Sequence, residues 1–387
     1  KIIISNIKKV CTEENMKIKD LRVSKTKLID YLGDVEPAWS PGSTVKSTIG
    51  GTEFTEIELE NGDIGIGPGC DKSILSSAKE YLVGKNPVNV IDHFKYLIYQ
   101  CRNIPYNGLA GIDIALWDLK GKIENKSISN ILGRKKDYLI PYSSFVILSE
   151  PDERAEMAKS IQQEGWKVIK VRLHHDEADK DIETIEKIVE KTSGEIEILV
   201  DANQAQSSYP WQPGVIWDFD RAKKMNEAMS DLGCYWLEEP RPRFNYEELS
   251  ELVAMNKTKI AGGENNTVVA DFHHMVEKNT YDVLQPESMV LGGITPLIEI
   301  GELSQTSNKE IVPHHGGGDI GVVAHMHLLS SWENAPFCEM LNDPPLSSYK
   351  NKFYIFNEKL DVIDGKIEVP NTPGLGVTIK EELIIRE

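Results

Sequence analysis

The chain has 387 residues, of which 40% are hydrophobic and 27% charged, so we expect a soluble globular protein with two domains or a barrel carrying an addition. Its formal net charge of -18 argues against nucleic acid as a partner, because phosphate binding requires clustered Lys and Arg. No apolar run approaches the roughly 20 residues that cross a bilayer, so we expect no membrane partner.

Residues 1–125 have a mixed α and β pattern. Alternating apolar and polar residues flank an Asn-Gly pair within 54–67, which predicts a β-hairpin. Helical periodicity follows, and its third segment is an amphipathic helix with small residues for close packing. The three helical segments are 73–83, 89–102 and 108–123.

Residues 31–54 are rich in Gly, Pro, Ser and Thr. They form either a mobile lid or a plain loop. We favour the lid, because long structureless segments in compact domains are often functional.

From about residue 139, short apolar runs alternate with helical segments. The predicted strands are Ile140–Val146, Val168–Leu173, Ile196–Val200, Tyr235–Leu237, Lys259–Ala261, Val283–Gln285, Glu310–Val312 and Phe337–Met340. The predicted helices between them are 152–164, 178–191, 219–231, 245–255, 268–277 and 293–305. Eight strand-helix units are typical of a closed parallel barrel, and an open doubly wound sheet is disfavoured because no GxGxxG follows an early strand.

The expected fold is therefore α/β: a (β/α)7-8 TIM-type barrel with an N-terminal α+β capping domain that the C-terminal segment completes. We assign residues 1–125 to the capping domain and 126–349 to the barrel. Residues 350–387 are again strand-like and are expected to return to the capping domain.

Three predicted strands in succession end in a carboxylate: Asp201, Glu238 and Glu264. Function in a parallel barrel lies at the C-terminal strand ends, and adjacent strands are about 4.8 Å apart. Three converging anions would repel one another, and a hard divalent cation relieves that repulsion. Oxygen-only ligands suit Mg²⁺, so we expect a metal site here rather than three unrelated helix caps or ion pairs.

The second predicted strand carries Lys170 and Arg172, and a period of two places both on the barrel interior. They would face the carboxylates and form a charge network, or, for Arg172 above all, simply neutralise them. The sixth and seventh strands are followed by Glu287 and His314, a candidate general-base pair, since a carboxylate orients a histidine ring and raises its basicity. His315 is the alternative base, and otherwise a substrate-binding residue.

Glu339 follows the eighth strand. If it is protonated, it is a candidate hydrogen-bond donor to a developing oxyanion, and a salt bridge is the equal alternative.

The ordered set of motifs resembles the enolase superfamily, specifically its mandelate racemase-like branch, whose sites use a Lys or His base with Mg²⁺. The resemblance covers nearly the whole chain. It rests on the helix GIDIALWDLKGK and on Lys170-x-Arg172, LVDANQ, WLEEP, AGGEN, QPE, GGIT and VPHHGGG.

The resemblance implies that Asp201, Glu238 and Glu264 bind Mg²⁺ and that Lys170 contacts a substrate carboxylate with Asn203 nearby. It favours His314 as the base, with its partner acid on strand six. It also implies that residues 31–54 close over the substrate and that the chain assembles into a homo-oligomer.

Three positions depart from the branch. Arg172 stands where a Lys often serves as a second base, and arginine stays protonated at ordinary pH. Glu287 stands where Asp is usual, so its reach to His314 is in question. The segment after strand three, QSSYPWQPGVIW, is longer than the pattern requires, and its aromatic residues either line the pocket or merely pack.

A single histidine base with a metal fits dehydration, and PHHGGG resembles the strand-seven loop of acid-sugar dehydratases. The expected reaction is dehydration of an aldonate or aldarate to a 2-keto-3-deoxy acid, a hydro-lyase activity. The alternatives are a racemase, epimerase or cycloisomerase, in which Arg172 or His174 would handle protons on the opposite face, and a non-catalytic sugar-acid-binding protein.

Five cysteines are scattered along the chain and lack the CxxC spacing of zinc or redox sites. We expect free thiols in a reducing cytoplasm. They are Cys11, Cys70, Cys101, Cys234 and Cys338.

Overall fold

The structure, a computed structural model, describes residues 16–102, 106–209 and 211–386. Its strands are β1 (Ile18–Thr26), β2 (Leu28–Val35), β3 (Val45–Gly50), β4 (Glu53–Leu59), β5 (Ile64–Pro68), β6 (Tyr138–Leu139), β7 (Pro141–Ser144), β8 (Val168–Arg172), β9 (Glu197–Asp201), β10 (Trp236–Glu238), β11 (Lys259–Gly262), β12 (Val283–Leu284), β13 (Glu310–Ile311), β14 (Cys338–Leu341), β15 (Val362–Ile363), β16 (Lys366–Glu368) and β17 (Ile384–Ile385).

Its helices are α1 (Lys72–Leu82), α2 (Val90–Gln100), α3 (Ala110–Glu124), α4 (Ile128–Ile131), α5 (Pro151–Gln163), α6 (Ala178–Thr192), α7 (Phe219–Asp231), α8 (Tyr246–Ala254), α9 (Val269–Lys278), α10 (Ser288–Leu291), α11 (Ile294–Thr306), α12 (Ile320–Ser331) and α13 (Tyr349–Phe353). No helix among the described residues is long and apolar enough to cross a membrane. The four described cysteines are free thiols, and Cys11 lies outside the described residues.

The first sheet is antiparallel, in the order β17-β1-β4-β5. The predicted Asn-Gly turn joins β4 and β5, and Gly62 takes the positive φ of 87° that such turns require. The last strand of the chain, β17, pairs with β1, with Thr26 opposite Ile384. The C-terminal segment therefore completes the sheet of the capping domain.

Helix α3 packs directly on that sheet and is buried on most sides. The prediction of an amphipathic helix is wrong here, because α3 also contacts barrel helices α10 and α11 and so has little solvent-facing surface. Its small residues do allow close approach, as predicted. A side chain at Gly111 would overlap the Pro68 carbonyl oxygen and the Thr55 hydroxyl.

Residues 31–54 are not the structureless loop that composition suggested. Strands β2 and β3 form an antiparallel hairpin, and only its tip, residues 36–44, is irregular. The tip is held on the barrel, since Ala38 N–H donates to the Val146 carbonyl at 2.8 Å and Pro37 forms a β-bridge with Ile147. The hairpin thus extends from the capping domain to the loop that follows β7.

The second sheet has eight parallel strands in the order β13-β12-β11-β10-β9-β8-β7-β14, which confirms the predicted barrel. Each strand begins and ends within two residues of its prediction. One interior cluster draws a side chain from every strand or its flank, as the curling of a sheet into a barrel requires. Its members are Tyr142, Val168, Leu199, Trp236, Ala261, Val283, Val312 and Phe337.

The C-terminal segment also contacts the barrel. Strands β15 and β16 join β6 in a three-stranded antiparallel sheet, with Ile367 opposite Leu139. Residues 350–386 therefore bind both parts of the molecule before the chain ends in β17.

We expect Gly111→Ala to lower the apparent melting temperature, because the added methyl must push α3 away from β5. Overpacking of this kind costs about 1–3 kcal/mol. Scanning calorimetry compares the variant with Lys120→Ala, which truncates a half-buried side chain on the same helix. An unchanged melting temperature in Gly111→Ala would show that α3 and β5 are not in close contact.

Candidate active site

The C-terminal ends of the barrel strands surround a cavity of about 190 Å³. It is lined by Trp39, Arg172, Asn203, Gln206, Glu264, Asn265, His314, His315 and Leu341. A larger groove of about 820 Å³ lies beside Tyr246 on helix α8, but it collects no carboxylates from successive strand ends. The site chemistry is therefore at the smaller cavity.

Arg172 lies opposite Asp201 in the β8–β9 ladder. Its Nη1 donates to Asp201 Oδ2 at 2.6 Å and to Asn203 Oδ1 at 3.0 Å, and its Nε donates to the Phe145 carbonyl at 2.9 Å. The Trp39 ring covers the guanidinium at 4.7 Å. Burial opposes its charge, but the pKa of Arg172 is raised because Asp201 and the other nearby carboxylates together outweigh that effect. Arg172 is thus a fixed cation.

Lys170 is fully buried among carboxylates. Its Nζ lies 2.8 Å from Glu238 Oε1, 2.8 Å from Glu339 Oε1 and 3.5 Å from Asp201 Oδ2. Burial disfavours the ammonium, yet these anions raise the pKa of Lys170 above its ordinary value. Lys170 lies beneath the cavity and is not among the residues that line it.

The sequence left Glu339 as either a protonated donor or a member of a salt bridge, and its Oε1, 2.8 Å from Lys170 Nζ, favours the salt bridge. Burial raises the pKa of Glu339, but the charges of Lys170, His314, His315 and Arg172 together lower it. An ionised carboxylate only accepts hydrogen bonds and does not donate one to an oxyanion.

His314 and Glu287 form the predicted pair. His314 Nδ1 lies 2.9 Å from Glu287 Oε2, which also accepts from Gly316 N–H at 2.8 Å. Glu287 Oε1 caps α10 by accepting from Met289 N–H at 2.9 Å. The longer side chain of Glu287 therefore reaches the ring and is held in place by the backbone.

This contact determines which nitrogen of His314 is available. Since Nδ1–H donates to Glu287, Nε2 is the basic nitrogen, and it lies 3.3 Å from Glu264 Oε2. Burial lowers the pKa of His314, but Glu264 and Glu287 outweigh that effect and raise it to about 9. Burial likewise opposes ionisation of Glu287, whose bond to His314 lowers its pKa to about 2.

His315 also lines the cavity but makes no ion pair with a carboxylate among the described residues. Its Nδ1 accepts from Gly317 N–H at 3.1 Å, which leaves Nε2–H as a donor. Burial and the neighbouring His314 lower the pKa of His315 to about 3, so it is neutral at physiological pH. These contacts favour His314 as the base.

The contacts of His174 do not suit it to proton transfer. Its Nε2 bonds to Asn203 Oδ1 at 3.1 Å, and that oxygen also accepts from Arg172. Burial lowers the pKa of His174, and its Nδ1 is buried without a partner among the described residues. His174 does not line the cavity.

Buried carboxyl groups outnumber buried cationic side chains at these strand ends. Six carboxylates belong to this part of the described chain: Asp201, Glu238, Glu239, Glu264, Glu287 and Glu339. Lys170, Arg172 and Arg243 offset them only in part. Burial and the charge of Asp201 raise the pKa of Glu238 to about 8, and burial and the charge of Glu264 raise that of Glu239 well above its ordinary value.

The residues expected to bind a metal have suitable donors but are not in coordinating positions. Among the described residues, no three Asp, Glu, His or Cys side chains are already grouped around one point. The physical reason is that each expected ligand is paired with a cation: Asp201 with Arg172, Glu238 with Lys170, and Glu264 with His314. The prediction that these three carboxylates bind Mg²⁺ stays a prediction.

The oxygen donors of Asp201, Glu238 and Glu264 still suit a hard divalent cation. All three expected ligands are carboxylates on neighbouring strands, and Glu264 Oε2 is buried without a hydrogen bond within the described ranges. A cation would offset the excess charge that raises the pKa of Glu238. Small rotations of these side chains would be needed to reach it.

Four cavity residues were missed by the motif analysis: Trp39, Gln206, Asn265 and Leu341. Asn265 is the last residue of the recognised motif AGGEN, and Gln206 lies two residues after LVDANQ, and both positions were usable signals. Trp39 lies in the segment identified as a lid. Glu239, the second acid of WLEEP, was also overlooked. The structure gives it a φ of 45°, and backbone strain of this kind is concentrated at functional sites.

The family comparisons agree with this architecture. Residues 152–383 match the model described as "Enolase C-terminal domain-like". Residues 35–133 match the model described as "Mandelate racemase / muconate lactonizing enzyme, N-terminal domain".

Similar proteins include the arabinonate dehydratase of Saccharolobus solfataricus, 28% identical over 84% of this chain and 88% of that protein. The L-talarate/galactarate dehydratase of Salmonella typhimurium is 27% identical over 85% of this chain and 80% of that protein.

Among solved structures, the L-talarate dehydratase of Polaromonas sp. JS666, complexed with Mg and L-glucarate, superposes with a TM-score of 0.77 at 24% identity, over 95% of this chain and 96% of that one. The two family models together span most of the chain, and one alone matches more than half. The chain therefore belongs to the enolase superfamily, in its mandelate racemase-like branch.

Proposed function

We propose that this enzyme dehydrates a sugar acid, an aldonate or aldarate, to a 2-keto-3-deoxy acid in the presence of Mg²⁺. The single observation that carries the proposal is the asymmetry of the cavity. His314, held by Glu287, supplies one basic nitrogen, while the opposing wall presents Arg172, which stays protonated. The similarity to two sugar-acid dehydratases supports the choice of substrate class.

The proposed reaction begins at the carbon next to the substrate carboxylate. His314 Nε2 takes the α-proton, and the electron pair of the broken C–H bond moves into the carboxylate to form an enediolate. Collapse of the enediolate breaks the β-carbon–oxygen bond, and protonated His314 returns the proton to the leaving hydroxyl, which departs as water. The resulting enol tautomerises to the 2-keto-3-deoxy acid.

Asp201, Glu238 and Glu264 are the residues that would hold Mg²⁺. When bound, this ion supplies stabilisation of negative charge on the substrate carboxylate oxygens. Lys170 and Arg172 add fixed positive charge beside the same region. Because His314 must be neutral to accept a proton, the charge on Glu264 that holds its pKa near 9 has to be offset first.

A racemase or epimerase remains the second candidate, since it shares the first step. It requires a proton donor or acceptor on the face opposite His314. Arg172 is fixed by Asp201, Asn203 and Phe145, and His174 is buried against Asn203. These contacts disfavour two-base chemistry.

We expect His314→Asn to reduce 2-keto acid formation by about 10²–10⁴-fold, the usual contribution of a general base. Purified protein with Mg²⁺ is screened against aldonic and aldaric acids, and keto product is measured. His273→Asn, the same change at an exposed histidine, should leave the rate unchanged. Full activity in His314→Asn would contradict the assignment of the base.

We expect Mg²⁺ to bind the free enzyme and Glu264→Gln to weaken that binding. Loss of an outer-shell partner weakens metal binding about 10–100-fold, and loss of a carboxylate ligand should weaken it more. Isothermal titration calorimetry without substrate measures this directly. Glu299→Gln, at an exposed glutamate, is the control, and equal affinity in both variants would argue that Glu264 is not a ligand.

In deuterated water we expect recovered substrate to keep its configuration at the α-carbon, because His314 serves one face only. Proton NMR follows loss of the α-proton, and polarimetry follows configuration. Inversion without keto product would favour the racemase instead.

A further inference from the structure

Gln206 opens the insertion, residues 206–217, and lies in the cavity wall. Its Nε2 is 3.1 Å from Glu239 Oε2 and 3.4 Å from Glu264 Oε1. The aromatic residues of the insertion do not line the cavity, since Tyr209 and Trp211 are 78% and 68% exposed and Trp217 is buried in the core. The insertion thus reaches the cavity through an amide rather than through its aromatic residues.

The orientation of this amide follows from its partners. The atom that faces the two acidic side chains is the donor nitrogen, since Gln206 Nε2 donates to Glu239 Oε2 and, over a longer distance, to Glu264 Oε1. The amide oxygen, Oε1, then points elsewhere, and no described residue donates a hydrogen bond to it. Gln206 therefore offers an unsatisfied acceptor at the cavity.

The backbone of the insertion is held at its base and near its end. Gln204 Oε1 accepts from Trp217 N–H at 2.7 Å, and Gln204 Nε2 donates to the Val215 carbonyl at 3.1 Å. Near the tip of the capping hairpin, a Cβ added to Gly214 would lie 3.0 Å from Pro41 Cγ. The insertion and the hairpin therefore approach each other closely at Gly214 and Pro41.

We propose that Gln206 is a specificity-determining residue, whose Oε1 accepts a hydrogen bond from one hydroxyl of the sugar-acid chain. The inference rests on the proposed function, because only a polyhydroxylated acid supplies such a donor. A site built to bond a hydroxyl discriminates against the epimer that directs it elsewhere, since the acceptor in the cavity wall then loses its partner. Gln206 therefore selects configuration and takes no part in proton transfer.

The test uses the Mg²⁺-loaded enzyme, epimeric series of pentonates and hexonates, and the aldarates derived from them. Binding is measured by calorimetry and turnover by keto product. In Gln206→Met, which keeps the length of the side chain, we expect kcat/KM and affinity for the preferred acid to fall about 10–100-fold. Its disfavoured epimers should change less than about threefold, so discrimination collapses.

Two further variants separate specificity from structure. Gln206→Asn keeps the amide but withdraws it by one methylene, and it should give an intermediate loss with the same pattern among epimers. Gln212→Met makes the same change elsewhere in the insertion, where Gln212 donates only to the Val215 carbonyl, and it should leave discrimination intact. Mg²⁺ affinity without substrate should stay within about threefold in Gln206→Met, because the contact with Glu264 is long.

The outcomes are distinct. An equal loss for all acids, together with weaker Mg²⁺ binding, would overturn the proposal and make Gln206 a positioning residue for Glu264. Unchanged discrimination in an active Gln206→Met enzyme would also overturn it while leaving the dehydratase assignment intact. If wild type binds these acids without turnover, dehydration fails but the calorimetric comparison still tests Gln206. If it binds none of them, both proposals fail.

Discussion

Repulsion among buried carboxylates is the constraint on which this site depends. Parallel strands about 4.8 Å apart bring Asp201, Glu238 and Glu264 to one end of the barrel. Burial without compensation would protonate them, so the neighbouring strand contributes Lys170 and Arg172 as partners. The surrounding histidine and amide side chains contact these carboxylates or their cationic partners, so their positions depend on how the negative charge is paired.

Charge sharing also makes the two sides of the cavity unequal. Arg172 is fixed between Asp201 and the Trp39 ring and serves as a permanent cation. On the other side, His314 has one nitrogen bound to Glu287 and the other near Glu264. One wall therefore carries a histidine that can exchange protons and the other carries a permanent cation, and the proposed one-base elimination rests on this asymmetry.

The cover of the cavity comes from two distant parts of the chain. The hairpin β2–β3 places Trp39 over Arg172, and the insertion places Gln206 beside Glu264. Pro41 and Gly214 bring the two pieces together. Neither the hairpin nor the insertion belongs to the barrel sheet. The sequence of either can therefore change without disturbing the strands that position the carboxylates.

The sequence by itself determined the barrel, because short apolar runs alternate with segments of helical periodicity, and both patterns are set by local chain geometry. Once the strands are known, the carboxylates at their C-terminal ends can be read directly from the sequence. It also identified the pairing of Glu287 with His314, since both close adjacent strands. Only the tertiary structure decided that Glu339 lies in a salt bridge, because the fold brings Lys170 of a different strand within 2.8 Å of it. Likewise, contacts between segments far apart in sequence decided that residues 31–54 form a docked hairpin and that α3 is buried on most sides, and periodicity carries no record of such contacts.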